Sequence, residues 1–296
     1  MSTTIGSGAS ESDGTNTQNA VPVLGDIRQR RPRLIRRVGP PIIVVMCCVG
    51  IWYLVSYFGL SPQQRFLLPP PNQVVEQGFL NWQNFHQILE ALRSTGTVAL
   101  IAFAFSSLIG MTFAILMSEA NWIERSFFPL AVALQTLPFL AIVPLVGFWF
   151  GYDFQSRIIV ATIVSLFPII TNTLFGLKSV EPAHADLFRL HHATRWIRLW
   201  RLKLPSALPS IFSGLRISAG LCVIAAIVTD FFIQSGTPGI GGLLDLFASE
   251  LESERLIAAL IMTALLGIVI YLVISAVAHR VIGKWHSSYQ RPLGDD

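Results

Sequence analysis

The sequence predicts an all-α membrane protein with six transmembrane helices, and three observations predict it. Of its 296 residues, 52% are hydrophobic and only 13% are charged, against roughly 25% charged in an average soluble domain. Mean hydropathy is +0.59, with 20 Phe and 7 Trp, which calls for an apolar solvent. Six runs, at 41–58, 96–118, 127–150, 158–177, 211–232 and 256–278, come close to or exceed the ~20 mostly apolar residues that a spanning helix needs.

The N-terminal part, 1–37, is a tail followed by a basic arm. Residues 1–26 are rich in Ser, Thr, Gly and Asn and carry no apolar stretch of signal-peptide type, so a disordered tail is expected. The arm holds Arg28, Arg30, Arg31, Arg33, Arg36 and Arg37, and residues 38–296 form the transmembrane domain. After the first run, the loop at 59–95 contains Leu68-Pro69-Pro70-Pro71, a rigid extended stretch. A segment with helical apolar spacing follows and serves either as a docking platform or as a cap. The third run carries Pro138 and Pro144, so it is kinked or broken, and it must face protein or a cavity where its freed carbonyls find partners.

Charge sets the expected orientation. The arm, Arg125, the six basic residues of the 178–209 loop and Arg280, Lys284 and Arg291 place sixteen of the 21 basic residues on one side. Arg65, Arg93, Arg157 and Arg255 fall on the other. The side rich in Lys and Arg is cytoplasmic, so both termini and the 178–209 loop are expected there. The charges flank spans; they do not form a nucleic-acid surface. Cys47, Cys48 and Cys222 sit inside apolar runs without metal-ligand spacing and read as small core hydrophobes.

If the 178–209 loop is helical from Leu190, then Leu190, Ala193, Ile197 and Trp200 share one side, with Arg195 and Arg198 on the other. Such a segment either lies on anionic lipid or docks a partner. Its residues carry a family likeness: His192-Ala193-Thr194-Arg195-Trp196, then Leu202-Lys203-Leu204-Pro205 through Pro209, then Gly214-Leu215-Arg216. This resembles the EAA loop of binding-protein-dependent ABC importer permeases. Gln135-Thr136-Leu137-Pro138, Phe167-Pro168 through Thr173, and Thr229-Asp230 with Gly239-Ile240-Gly241 resemble, in order, spans of the nitrate, sulfonate, taurine and bicarbonate branch. In register, the family's Glu-Ala-Ala falls on Asp186-Leu187-Phe188 and its turn glycine on His192, so the loop either turns at His192 or stays helical through it.

The resemblance implies a type I ABC importer permease fold and a homodimer that forms the solute path. It also implies partner ATPase subunits docked on Asp186, His192, Ala193, Arg195, Trp196, Ile197, Trp200, Leu204 and Pro205, and an extracytoplasmic solute-binding protein. The solute expected from the branch is a sulfonate, taurine, nitrate or similar, with a vitamin precursor such as a pyrimidine as the alternative. A proton-coupled secondary transporter is the alternative of another class, although no internal repeat and no chain of buried carboxylates supports it.

The chain has three lysines and none lies in a phosphate-binding Gly-rich loop, so ATP hydrolysis is assigned to a separate chain, with no cofactor and no metal here. No ionisable pair suited to acid–base catalysis stands within a span. His191 and His192 are adjacent, which does not suit shared ligation from a helix. Gln135, Thr136, Pro138, Asn172, Thr173 and Asp230 remain as candidates for the path or gate. The polar side chains among them either cross-link helices or line the path. Asp230 is either a solvated residue at the outer interface or part of a gate.

Overall fold

A computed structural model describes residues 33–233 and 236–282. Residues 1–32, which hold the expected tail at 1–26 and Arg28, Arg30 and Arg31 of the basic arm, and Lys284 and Arg291 at the other terminus lie outside the described residues. The chain divides into two units between Cys48 and Val49. Helix α1, Arg33–Leu54, crosses that division and continues into a wide π turn at Val55–Gly59. Cys47 and Cys48 are exposed, which corrects their reading as core residues; Cys222 is buried. In a spanning helix such an exposed apolar surface is what lipid covers.

The Pro-rich stretch after α1 is held by two side chains. Trp52 Nε1 donates to the Pro69 carbonyl at 3.1 Å and Ser56 Oγ to that of Leu68 at 2.8 Å. A short helix, α2 (Pro71–Val74), and a π segment, Val75–Leu80, follow. Asn81 then caps α3, Trp82–Glu119, accepting hydrogen bonds from the Gln83 and Asn84 amides. Helix α3 therefore begins well before the apolar run at 96–118, because the cap and not hydropathy fixes its start.

The third run is broken. Helices α4 (Asn121–Thr136) and α5 (Phe139–Phe150) meet at 102°, so the expected break at Pro138 is present. Pro138 cannot donate to a helical carbonyl and biases Leu137 to the extended conformation it adopts, ψ 133°. Next come α6 (Phe154–Lys178), α7 (Pro182–Leu190), α8 (Arg195–Arg198) and, after a π turn at Leu199–Lys203, α9 (Leu204–Phe232). Helices α10 (Ile240–Ser249) and α11 (Ser253–Ile282) complete the described chain. Among the described residues, five helical stretches are long and apolar enough to cross a membrane, or six with the bent pair counted as one span.

Helices α3, α6 and α9 form the interior. Small side chains (Ala99, Ala102, Ala161, Ala225 and Ala226) let their backbones approach, the device by which membrane helices gain dispersion contacts without a hydrophobic driving force. At Gly214 a Cβ would stand 2.8 Å from the Pro168 carbonyl, so α6 and α9 touch through backbone there. Ser218 Oγ adds a hydrogen bond to the Ser165 carbonyl at 2.7 Å.

Two ties fix α3 against α9, which runs antiparallel to it. Lys203 Nζ pairs with Glu119 Oε1 at 2.7 Å, and Thr95 donates to Asp230 at 2.5 Å. At 1.5 Å per residue Thr95 and Glu119 are about 36 Å apart along α3, comparable to a bilayer of roughly 30 Å hydrocarbon plus interfaces.

Candidate functional site

At one end of α9 lies the 178–209 loop. Helix α7 ends at His191, and His192 has φ +49°, so the loop turns there and does not continue as a helix. The Ala193 amide donates to the Phe188 carbonyl at 3.0 Å and the His192 amide to that of Arg189 at 2.9 Å. This pair of bonds is a Schellman C-cap with His in the left-handed position that glycine usually fills. Thr194 then caps the next helix, its hydroxyl accepting from the Ile197 amide at 3.4 Å.

The expected stripe from Leu190 to Trp200 is consequently split. Leu190 closes α7, Ala193 lies in the turn, and only Ile197 and Trp200 share the second helical stretch. Trp196 and Trp200 are 71% and 65% exposed, whereas Leu199 between them is buried against Leu177, Ala207 and Ile211. Leu199 holds the segment to the bundle while the two indoles face outward. Asp186 pairs with Arg189 on the exposed face of α7 at 3.1 Å, a contact of small energetic weight. Arg195 stands in α8, and Leu204 and Pro205 open α9 directly after the π turn at Leu199–Lys203.

A second feature is a cavity of about 480 Å³ at the break between α4 and α5. Gln135 of α4 and Asn172 of α6 both reach its wall, together with Phe139, Phe167, Ile217 and Leu221. The other path candidates do not line it. Thr136 is exposed and bonds the Ala133 carbonyl, and Pro138 makes the break. Thr173 is buried one residue away from the wall, with no hydrogen-bond partner for its hydroxyl among the described residues.

Asp230 stands apart from that cavity, at the other end of α9. Its side chain is fully buried and pairs with Arg157 Nη1 at 3.1 Å, and Arg157 is itself 1% exposed. Two readings are corrected here: Asp230 is not a solvated interfacial residue, and Arg157 is not a flanking surface charge but a member of the interior. The second Asp230 oxygen accepts from Thr95 Oγ1, and Thr95 Oγ1 accepts from the Ile240 amide at 2.8 Å. Arg157 Nη2 donates to the Ile233 carbonyl at 2.8 Å. These bonds answer the desolvation of both charges, which would otherwise cost several kcal/mol per ion.

The Gly239-Ile240-Gly241 motif exists for this packing. A Cβ at Gly239 would overlap the Asp230 carboxylate, and one at Gly241 would overlap the Ile227 carbonyl. Arg157 and Thr95 were missed in the sequence because each looked like the edge of an apolar run. The available signal was two ionisable residues of opposite sign, Arg157 and Asp230, at the margins of separate spans, where an unpaired charge is costly.

Residues 81–283 match the family described as binding-protein-dependent transport system inner membrane component. The formylaminopyrimidine transport permease protein of Halalkalibacterium halodurans is 34% identical over 77% of this chain and 88% of its own length. The taurine transport system permease protein of Escherichia coli K12 is 27% identical over 87% of this chain and 93% of its own. Permeases named for aliphatic sulfonates, bicarbonate and nitrate also match. Among solved structures, a chain of a bacterial alginate ABC transporter superposes with a TM-score of 0.57, covering 86% of this chain and 98% of that one at 16% identity, a likeness of fold. Families of this kind work with an ATPase and a binding protein. The secondary-transporter alternative gives way, and the chain belongs to the binding-protein-dependent inner membrane components as a multi-pass permease subunit of an ABC importer.

Proposed function

We propose that this permease forms a homodimeric solute path whose cavity at the α4–α5 break is moved by ATPase subunits docked on the 178–209 segment. The observation that carries the reading is continuity. Arg195–Phe232 is one helical rod of 38 residues, with exposed Trp196 and Trp200 near its start and the cavity wall residues Ile217 and Leu221 further along it. A displacement at the indoles is therefore delivered to the wall, because packed helices shift as units between discrete arrangements. Asp186, His192, Ala193, Arg195 and Ile197 complete the proposed docking segment, and Leu204 and Pro205 follow within the rod.

In this reading the permease has no catalytic residue of its own, and hydrolysis belongs to the ATPase. Both termini and the docking segment lie in the cytoplasm. With Arg157 removed to the interior, the opposite side keeps only Arg65, Arg93 and Arg255 among its basic residues, which strengthens the charge asymmetry. The solute is delivered by an extracytoplasmic binding protein. The branch suggests a sulfonate, taurine or nitrate, and the 34%-identical relative favours a pyrimidine as the second reading.

The test is uptake by proteoliposomes that hold the permease, its ATPase and its binding protein. Uptake should require ATP hydrolysis, and a probe attached at Arg198 should be reached only from the ATPase side. Uptake driven by a proton gradient without ATP, or labelling of Arg198 from the binding-protein side, would refute the assignment.

A further inference from the structure

The cavity at the break suggests what it accepts. We propose that it is a solute subsite selective for an uncharged, planar, nitrogen-bearing ring over an anion, which selects the second solute reading over the first; this rests on the path reading above. No charged side chain lines its wall, and Arg216, which precedes the wall residue Ile217, is not part of it. An anion entering an apolar cavity without a counter-charge loses its hydration and gains nothing equivalent.

The polar groups that are present accept as readily as they donate. Asn172 gives one Nδ2 hydrogen to the Pro168 carbonyl at 2.8 Å, which leaves its second amide hydrogen and its oxygen for a ligand, and Thr171 donates its hydroxyl to the Phe167 carbonyl at 2.9 Å and can still accept. The Gln135 amide makes no hydrogen bond among the described residues and offers both functions. A sulfonate or nitrate carries acceptors only and cannot satisfy the Asn172 and Gln135 oxygens. A heterocycle with ring nitrogens and an exocyclic amine or N–H can satisfy both kinds of group. Phe139 and Phe167 supply apolar ring faces for its plane, and about 480 Å³ is within the range of small-molecule sites.

At the break, moreover, the C-terminal end of α4 meets the N-terminal end of α5. Their opposite partial charges adjoin across two residues, so neither end dominates as an ion site.

The experiment measures equilibrium binding of cytosine and of benzenesulfonate, a planar anion of similar size, to the purified permease–ATPase complex by calorimetry. Cytosine should bind about tenfold more tightly or better, and Gln135→Leu and Asn172→Leu should each weaken it about tenfold by leaving ligand groups unpaired. Gln135 is exposed, so Gln135→Leu remains informative if Asn172→Leu does not fold. Benzenesulfonate binding as tightly as cytosine, cytosine binding unchanged in the Leu variants, or binding of neither probe at millimolar concentration would each overturn the proposal.

A parallel measurement separates this from the path reading. In a Cys47→Ser, Cys48→Ser background, modification of Gln135→Cys by an aqueous thiol reagent should change between ATP-bound and ADP-bound complexes. A change without ring preference removes the selectivity alone; no change removes the path reading and this proposal with it.

Discussion

The two ends of α9 are built on opposite physical terms. At its start, the loop leaves Trp196 and Trp200 exposed and satisfies its backbone locally, through the turn at His192 and the Thr194 cap. At its far end, Asp230 and Arg157 are charged groups with almost no exposure, answered by Thr95 from α3 and by the nearby Gly241 amide and Ile233 carbonyl. One end leaves apolar surface exposed, and the other hides charge within its own fold. Exposed indoles can be altered without disturbing the bundle, whereas a buried charge cannot lose its partner. If the proposed docking holds, a helix anchored at one end and open at the other passes a push from the exposed segment to the cavity between them.

The largest effect should come from the anchored end. Asp230→Asn leaves the Arg157 guanidinium buried without its counter-charge, which costs roughly 3–5 kcal/mol. The yield and melting temperature of the detergent-purified permease should fall steeply. Pairing it with Arg157→Met, which removes the stranded charge, should recover much of the loss. A silent Asp230→Asn would show that the ion pair does not anchor α9.

The open end should respond in docking and not in stability. Trp200→Glu should weaken association with the ATPase by about 2 kcal/mol or more, as expected for a central aromatic anchor, with the melting temperature of the permease alone unchanged. Normal co-purification with the ATPase would assign the indoles to the lipid surface instead.

Gly241→Ala comes next. Its methyl would press on the Ile227 carbonyl, and forced overpacking of this kind costs about 1–3 kcal/mol. The lower melting temperature it predicts should appear without any change in ATPase affinity, since the contact is at the anchored end.

The smallest effect is expected at His192. His192→Gly relieves a left-handed residue and should stabilise the loop by about 1 kcal/mol or less, while His192→Val, β-branched at positive φ, should loosen it. Hydrogen exchange of the Ala193 amide, bonded to Phe188, reads both changes directly. Equal protection in the two variants would mean that the cap does not order the loop.

Much of this was legible from the residues alone, for reasons that are local. Run length and composition reveal spans because a helix must cover a fixed thickness of hydrocarbon, and Pro138 reveals the break because a missing amide hydrogen acts on its own turn. The amphipathic loop was visible as a pattern, but not its course: His192 permitted a turn or a helix, and the choice was made by carbonyls of α7 that the turn satisfies. What only the tertiary structure decided is which distant polar groups meet. Arg157, Thr95 and Asp230 each stand at the margin of a different span, and Gln135 and Asn172 on different helices share one cavity. Hydropathy has no term for such encounters. It scores the cost of each charge in lipid singly, whereas the fold removes that cost by bringing opposite charges and hydrogen-bonding groups together across helices.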